Sequence, residues 1–373
     1  MDVDCVERVS ITDMGDDAAL VELLRRALSL RASDLFIVPG APVTVKRDGR
    51  LLPLTQERLM PKDTRRLILE IYRRTDGRSS DALERSGDDD FSFSIPDVSR
   101  FRCNAYRQRG TLAAVLRVVP FGLPDAAALN IPEAVTSLAD MRRGLVLVTG
   151  SAGSGKSTTL ACLIDRINRT RMEHIVTIED PIEFLYPHRQ SIVSQREVAH
   201  DTESFATALR ASLRQAPDVI LLGEMRDYET IHTALTAAET GHLLFSTLHT
   251  VGAAKTIDRL IDVFPAQQQQ QVRIQLSMVL QAVVSQQLVP GKNGGLFPAF
   301  EIMRVNRAVR NMIRESKVHQ LDNVIASGAA EGMRAMDADL YRLCASGQIA
   351  RDTALLYAIQ PETLERRLAE NKL

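Results

Sequence analysis

The stretch RGLVLVTGSAGSGKSTTL, Arg143–Leu160, decides the fold. Leu145–Val148 is an uninterrupted apolar run, the pattern of a strand buried on both faces. Gly150, four residues, then Gly155, Lys156 and Ser157 complete the phosphate-loop spacing between a strand and a helix start. The residue types follow from the chemistry. Gly150, Gly153 and Gly155 let the backbone of Gly150, Ser151, Ala152, Gly153, Ser154 and Gly155 curl, so that successive N–H groups point at phosphate oxygens. The helix that begins near Ser157 and Thr158 adds the positive end of its dipole. Lys156 has the reach for the β- and γ-phosphates, and Ser157 offers a hydroxyl to Mg²⁺. The stretch reads as the binding site of a nucleoside triphosphate.

Moving outward, three further segments end predicted strands in polar groups. TIEDPIEF, Thr177–Phe184, clusters Glu179, Asp180 and Glu183 at the carboxyl end of the strand His174–Ile178. Parallel α/β cores present ligand-facing groups there, and such carboxylates can hold Mg²⁺ or polarise a water. DVILLGEMRD, Asp218–Asp227, is an apolar strand that ends in a carboxylate. Gly223 stands where an aspartate is common, so Glu224 alone suits a water-orienting base, and the metal depends on Ser157 and the Glu179–Glu183 cluster. GHLLFSTLHT, Gly241–Thr250, brackets a strand with His242 and His249; a histidine at a strand end is more often a structural hydrogen-bonding group than a catalyst. Helices expected over Ser204–Gln215 and Asp227–Thr240 alternate with these strands, which predicts a parallel sheet covered on both faces.

Upstream, the pattern predicts a loose acidic lead-in over residues 1–17 and an α+β domain over 18–119. That domain contains helices over Ala18–Leu30 and Pro61–Arg74. Its strands are expected at Ser33–Val38, Val43–Lys46, Arg50–Leu54, Asp90–Ile95, Ser99–Arg107 and Thr111–Val119. Asp48-Gly49 marks a hairpin turn and Ser86–Asp90 a polar turn. Arg102 and Arg117 fall on adjacent strands, a solvated face or a γ-phosphate clamp offered to a neighbouring subunit. Pro120–Pro132, with three prolines, reads as a hinge. A core over 133–290 follows, led in by a helix over Ile131–Asp140. Its last segment, Ala266–Leu288, reads as one amphipathic helix with Val272, Leu276, Val279 and Val283 on a single face. Residues 291–373 read as a bundle of short helices.

Composition narrows the function classes. Forty-six basic against 47 acidic residues leave a net charge of −1, and no tryptophan and 5% aromatics leave little for base stacking, so a nucleic-acid partner is not expected. Cys5, Cys103, Cys162 and Cys344 are scattered without a CxxC pair, against a zinc site or a disulfide framework and in keeping with a reducing cytoplasm. The acidic N-terminus lacks the apolar core of a signal peptide, and no apolar run approaches the ~20 residues of a membrane span.

Taken together, GSAGSGKST, TIEDPIEF, VILLGEMRD and GHLLFSTLHT resemble the motif set of the secretion-type traffic ATPases. More closely, the chain is similar to the type IV pilus retraction motors, from about Ala18 onward. Ala308–Glu315 reads AVRNMIRE against the AIRNLIRE signature of those motors, with apolar residues at both differences, Val309 and Met312. The glycine before Glu224 is typical of this family. The four-cysteine insertion of assembly motors is missing here, whereas Phe36 departs from a histidine common in the family.

The resemblance implies an α/β chain: an N-terminal PAS-like domain, a RecA-like P-loop core and a C-terminal helical region. It implies a homohexamer that hydrolyses ATP with Mg²⁺ and acts, from the cytoplasmic face of the inner membrane, on a membrane-embedded platform protein to retract a pilus. Glu224 becomes the catalytic base, Glu183 a second essential carboxylate, and His242 and His249 groups near the nucleotide. Arg102 and Arg117 match the N-terminal-domain arginines that approach the γ-phosphate. Two other readings remain at this level: a regulatory or accessory ATPase of a related pilus, competence or secretion system, and a RecA-like nucleic-acid translocase.

Overall fold

The structure, a computed structural model, describes residues 8–11, 14–47, 49–75, 77–96, 98–119 and 122–370. Cys5 with part of the acidic lead-in, Asp48 of the expected hairpin turn, and Pro120 and Phe121 of the expected hinge lie outside the described residues. The chain divides at Gly122 into two compact units.

The N-terminal unit is built on strands β1 (Asp34–Ile37), β2 (Thr44–Arg47), β3 (Arg50–Pro53), β4 (Asp88–Ile95), β5 (Ser99–Gln108) and β6 (Thr111–Val119). They form one antiparallel sheet in the order β3-β2-β1-β6-β5-β4. Helices α1 (Asp16–Ser29) and α2 (Pro61–Arg73) contribute Leu20, Leu23, Leu24, Leu67, Ile68 and Ile71 to the same core as Leu35, Phe101 and Leu116 of the sheet. Strand alternation makes this face: Phe101, Cys103 and Ala105 of β5 are buried while Arg102 and Asn104 point away. β5 and β6 close through Arg109 and Gly110, both at positive φ, as a tight hairpin turn requires. The polar turn expected over Ser86–Asp90 is instead a single residue, Gly87 at φ 85, between the short helix α3 (Asp81–Ser86) and β4.

The C-terminal unit carries seven strands: β7 (Gly144–Thr149), β8 (His174–Glu179), β9 (Ile192–Glu197), β10 (Val219–Leu222), β11 (Leu243–Leu248), β12 (Leu280–Pro290) and β13 (Leu296–Arg304). Their order is β13-β12-β7-β11-β10-β8-β9, all parallel except β13. Helices cover both faces, which is why Leu145–Val148 of β7 are all apolar: Leu145 and Leu147 join one core layer, Val146 and Val148 the other. The second layer includes Leu160, Leu163 and Ile167 of α5 (Lys156–Thr170), after the short helical lead-in α4 (Glu133–Thr136). The first includes residues of α6 (Phe205–Ser212), α7 (Tyr228–Glu239), α8 (Ala253–Asp262) and α9 (Ala266–Val279).

The helix expected over Ala266–Leu288 ends at Val279, and Leu280 begins β12, which pairs with β7. Val279 and Val283 are four residues apart, a spacing that keeps one face on a helix and, being even, also on a strand. β9, α8 and β13 are elements beyond those the sequence pattern predicts, and β13 extends the core sheet past the expected boundary at 290/291.

After β13 come α10 (Arg307–Arg314), α11 (Leu321–Ser327), α12 (Met336–Ala345), α13 (Arg351–Tyr357) and α14 (Pro361–Glu370). The AVRNMIRE segment lies on α10, with Val309 and Ile313 buried. Its Arg310 donates to the carbonyls of Ser277 (2.6 Å) and Met278 (2.9 Å), two acceptors that the end of α9 leaves without helical partners. Asp339 of α12 is wholly buried and ties the helices to the sheet: it accepts from the Phe300 N–H (2.9 Å), Arg334 (2.8 Å) and Arg342 (2.7 Å). Asp339→Ala leaves the buried Phe300 N–H without its acceptor and frees the partly exposed Arg334 and Arg342 from the sheet, and is expected to cost about 3 kcal/mol, read as a lower urea midpoint for the C-terminal unit.

Candidate active site

Parallel strands end together, and the parallel register aligns Ile178 of β8, Leu222 of β10 and Ser246 of β11. The residues that follow these positions, with the loop after β7, surround a cavity of about 580 Å³. Gly153, Gly155, Lys156 and Ser157 form one wall, Glu179, Asp180 and Glu183 another, and Glu224 and His249 a third. Ala152 and Thr158 complete the loop side, while Gly150, Ser151 and Ser154 belong to the loop but do not line the cavity.

The loop has the conformation its glycines permit. Gly150, Gly153 and Gly155 all have positive φ, and Gly155 caps α5 in the left-handed region. The N–H groups of the first turn of α5, which have no helical partner, open onto the cavity from Ser157 and Thr158. The Lys156 ammonium folds back onto the carbonyls of Gly150 (3.0 Å) and Ser151 (2.9 Å). Burial holds its pKa below the usual lysine range, partly opposed by the charges of Glu183 and Glu224. A phosphate chain replaces those carbonyls with anionic oxygens, a stronger partner for the same cation.

Glu224 lies just beyond β10. One of its oxygens, Oε2, receives Arg226 Nε at 2.8 Å and faces His249 Nε2 at 3.5 Å. Gly223 leaves room for this turn. A Cβ there would lie 3.3 Å from the Ile178 carbonyl and 3.4 Å from the Glu179 Cα, so the chain passes close against β8. Thr247 Oγ1 donates to the Gly223 carbonyl at 2.6 Å and holds the end of β10 to β11. Arg226 and Thr247 were not singled out in the sequence. Arg226 lies inside a motif whose distinguishing residue is its glutamate, and a threonine at a strand end carries no distinguishing pattern.

Glu179 is buried and accepts from Thr177 Oγ1 at 2.7 Å. Burial outweighs that bond and raises its pKa to about 7. The folded protein therefore keeps this proton through a range where the unfolded chain has released it, and stability falls as pH rises from about 4.5 to about 7. Glu179→Gln is expected to flatten that descent in urea titrations run at several pH values, with no change below pH 4.

Hydroxyl and carboxylate oxygens lining one cavity suit a hard cation such as Mg²⁺. Among the described residues no three carboxylate, imidazole or thiolate groups converge to cage an ion, so Glu179, Asp180 and Glu183 do not make a protein-only site. A cation shared with phosphate oxygens needs only one or two protein groups.

Three expected site residues do not line this cavity. His242 precedes β11, at the amino ends of the strands, about six residues or ~20 Å along the strand from the cavity. Its Nδ1 faces the Ala237 carbonyl (2.9 Å) and Thr240 Oγ1 (3.2 Å), closing the end of α7. Two histidines seven residues apart fall at opposite ends of a six-residue strand, so only His249 reaches the cavity. Arg102 and Arg117 are direct cross-strand partners on the outer face of the N-terminal sheet, whereas every residue lining the cavity belongs to the C-terminal unit. Arg102 pairs with Asp90 (2.5 Å) and Arg117 with Asp34 (3.1 Å).

Comparison with known proteins places this geometry. Residues 17–328 match the family described as "Type II/IV secretion system protein". The chain is similar to the type IV pilus retraction ATPase PilT of Pseudomonas aeruginosa, 47% identical over 92% of this chain and 99% of that one. It is similar to a twitching motility protein of Neisseria gonorrhoeae, 51% identical over 74% of each. A crystal structure of the pilus retraction motor PilT with bound ADP superposes with a TM-score of 0.86 at 47% identity, covering 93% of this chain and 98% of that one. Among the described residues no helix is long and apolar enough to cross a membrane.

Proposed function

Because the chain belongs to the Type II/IV secretion system protein family, we propose that it is the ATPase that powers retraction of a type IV pilus. The observation that carries this reading is the meeting of the phosphate loop, Lys156 and Glu224 around one cavity, in a chain similar over its length to retraction ATPases. The loop N–H groups and Lys156 bind the phosphates of ATP. Glu224, held by Arg226 beside His249, orients a water and takes its proton as the water oxygen bonds the γ-phosphorus and ADP departs. Ser157 and the acids of the Glu179–Glu183 wall would hold Mg²⁺, whose charge would offset that of the phosphate oxygens. Glu183 is the second carboxylate of the reaction.

The working form is a homohexamer. In it Arg102 and Arg117 of one subunit exchange their aspartate partners for the γ-phosphate bound by the next, and closure of the ring senses ATP. The linker around Pro120–Pro132 is the hinge, and force passes at the cytoplasmic face of the inner membrane to a platform protein. The test is complementation of a strain lacking its retraction ATPase, with particle mass and ATP turnover measured on the purified protein. Restored twitching, a six-subunit mass and turnover are expected. A turning-over hexamer that leaves twitching unrestored points to an accessory ATPase instead.

A further inference from the structure

We propose that Gln286 is a positioning residue that holds the phosphate loop in its anion-cradling form. The inference rests on the cavity being the ATP site. β12 runs parallel to β7 with Ser285 opposite Thr149, so Gln286 is the first residue of β12 level with the loop. β7 stops there, but β12 continues to Pro290 because β13 goes on pairing with it, Gln286 opposite Phe300 and Leu288 opposite Pro298. The strand thus projects past the end of its neighbour as a wall beside the loop.

Gln286 is only 3% exposed, and three of its groups meet the loop or the helix behind it. Its main-chain carbonyl fills the space a Cβ at Gly150 would need. Its Oε1 accepts a 2.7 Å hydrogen bond from Thr159 Oγ1, in the second turn of α5. Its Nε2 stands 2.8 Å from the Cβ position of Gly155. The threonine bond sets the direction of the amide: with Oε1 taken by the hydroxyl, the NH₂ group is turned towards Gly155. One residue therefore touches both ends of the glycine loop and the helix that follows it.

Glycines have little intrinsic preference for the cradle, because every alternative backbone conformation is open to them. A wall that leaves them only one conformation lowers the ordering cost of binding. The effect belongs to affinity for the phosphate chain and leaves the chemical step, which Glu224 serves, nearly unchanged.

Gln286→Met keeps the side-chain length and loses both polar groups. Gln286→Glu keeps the acceptor for Thr159 but turns an anionic oxygen towards the loop. Affinity for ADP and ATP, KM, kcat and the nucleotide-free melting temperature are measured together. Weakening of about tenfold is expected for Gln286→Met, and more for Gln286→Glu, with kcat within about threefold and melting little moved. Thr159→Val is expected to match Gln286→Met, Thr159→Ser to bind as wild type, and the Thr159→Val/Gln286→Met pair to be no weaker than either alone. The threonine variants read the same bond if a Gln286 variant does not fold. Gln286 variants that melt lower yet bind as wild type, or a Thr159→Val that binds as wild type, overturn the inference. A wild-type chain that binds neither nucleotide overturns the ATP-site reading, and this inference with it.

Discussion

Glu224→Gln is expected to lower kcat for ATP hydrolysis by about 10²–10⁴-fold while ATP affinity stays within a few-fold of wild type. The substitution keeps the size of the side chain and an acceptor oxygen for Arg226, and removes the negative charge together with the capacity to accept a proton. Phosphate release at saturating ATP, with a nucleotide titration on the same preparation, separates the two quantities. Glu183→Gln belongs in the same experiment. Glu183 lines the cavity but is exposed, so water competes for its protons and metal contacts. A larger loss at Glu183 than at Glu224 would move the base to the wall after β8.

Lys156→Ala is expected to weaken nucleotide binding by about 100-fold or more and to abolish turnover. Two charge-assisted bonds to phosphate oxygens, each worth about 1.5–3 kcal/mol, account for a loss of that size. In the resting site the ammonium bonds to the Gly150 and Ser151 carbonyls, so the variant also loses a tie across the loop itself. Calorimetric titration with ADP reads the binding loss. Binding as tight as wild type would mean that the loop N–H groups alone supply the affinity.

Much of this site is legible in the residues because its chemistry is local in the chain. A phosphate cradle needs glycines, a lysine and a hydroxyl at fixed offsets, and Gly150–Thr158 supply them within one strand-to-helix turn. Glu224 and the Glu179–Glu183 acids are likewise marked by the apolar strands they terminate. The strands that close the sheet were harder to see. β12 is buried on both faces, so it shows no alternation, and the spacing of Val279 and Val283 satisfies helix and strand alike. β13 and β9 are recognisable only through the strands they pair with.

Residue order alone determined the nucleotide site, the α/β alternation and the acids at the strand ends, since each is set by neighbours a few positions away. Tertiary structure decided which of two histidines in one motif reaches the cavity. It also decided that Arg102 and Arg117 each meet an aspartate on an outer sheet face, and that Gln286, 127 positions after Thr159, packs against the phosphate loop. These are matters of strand order and direction. They arise when distant segments bury their apolar faces against one another, and no local pattern of residues carries them.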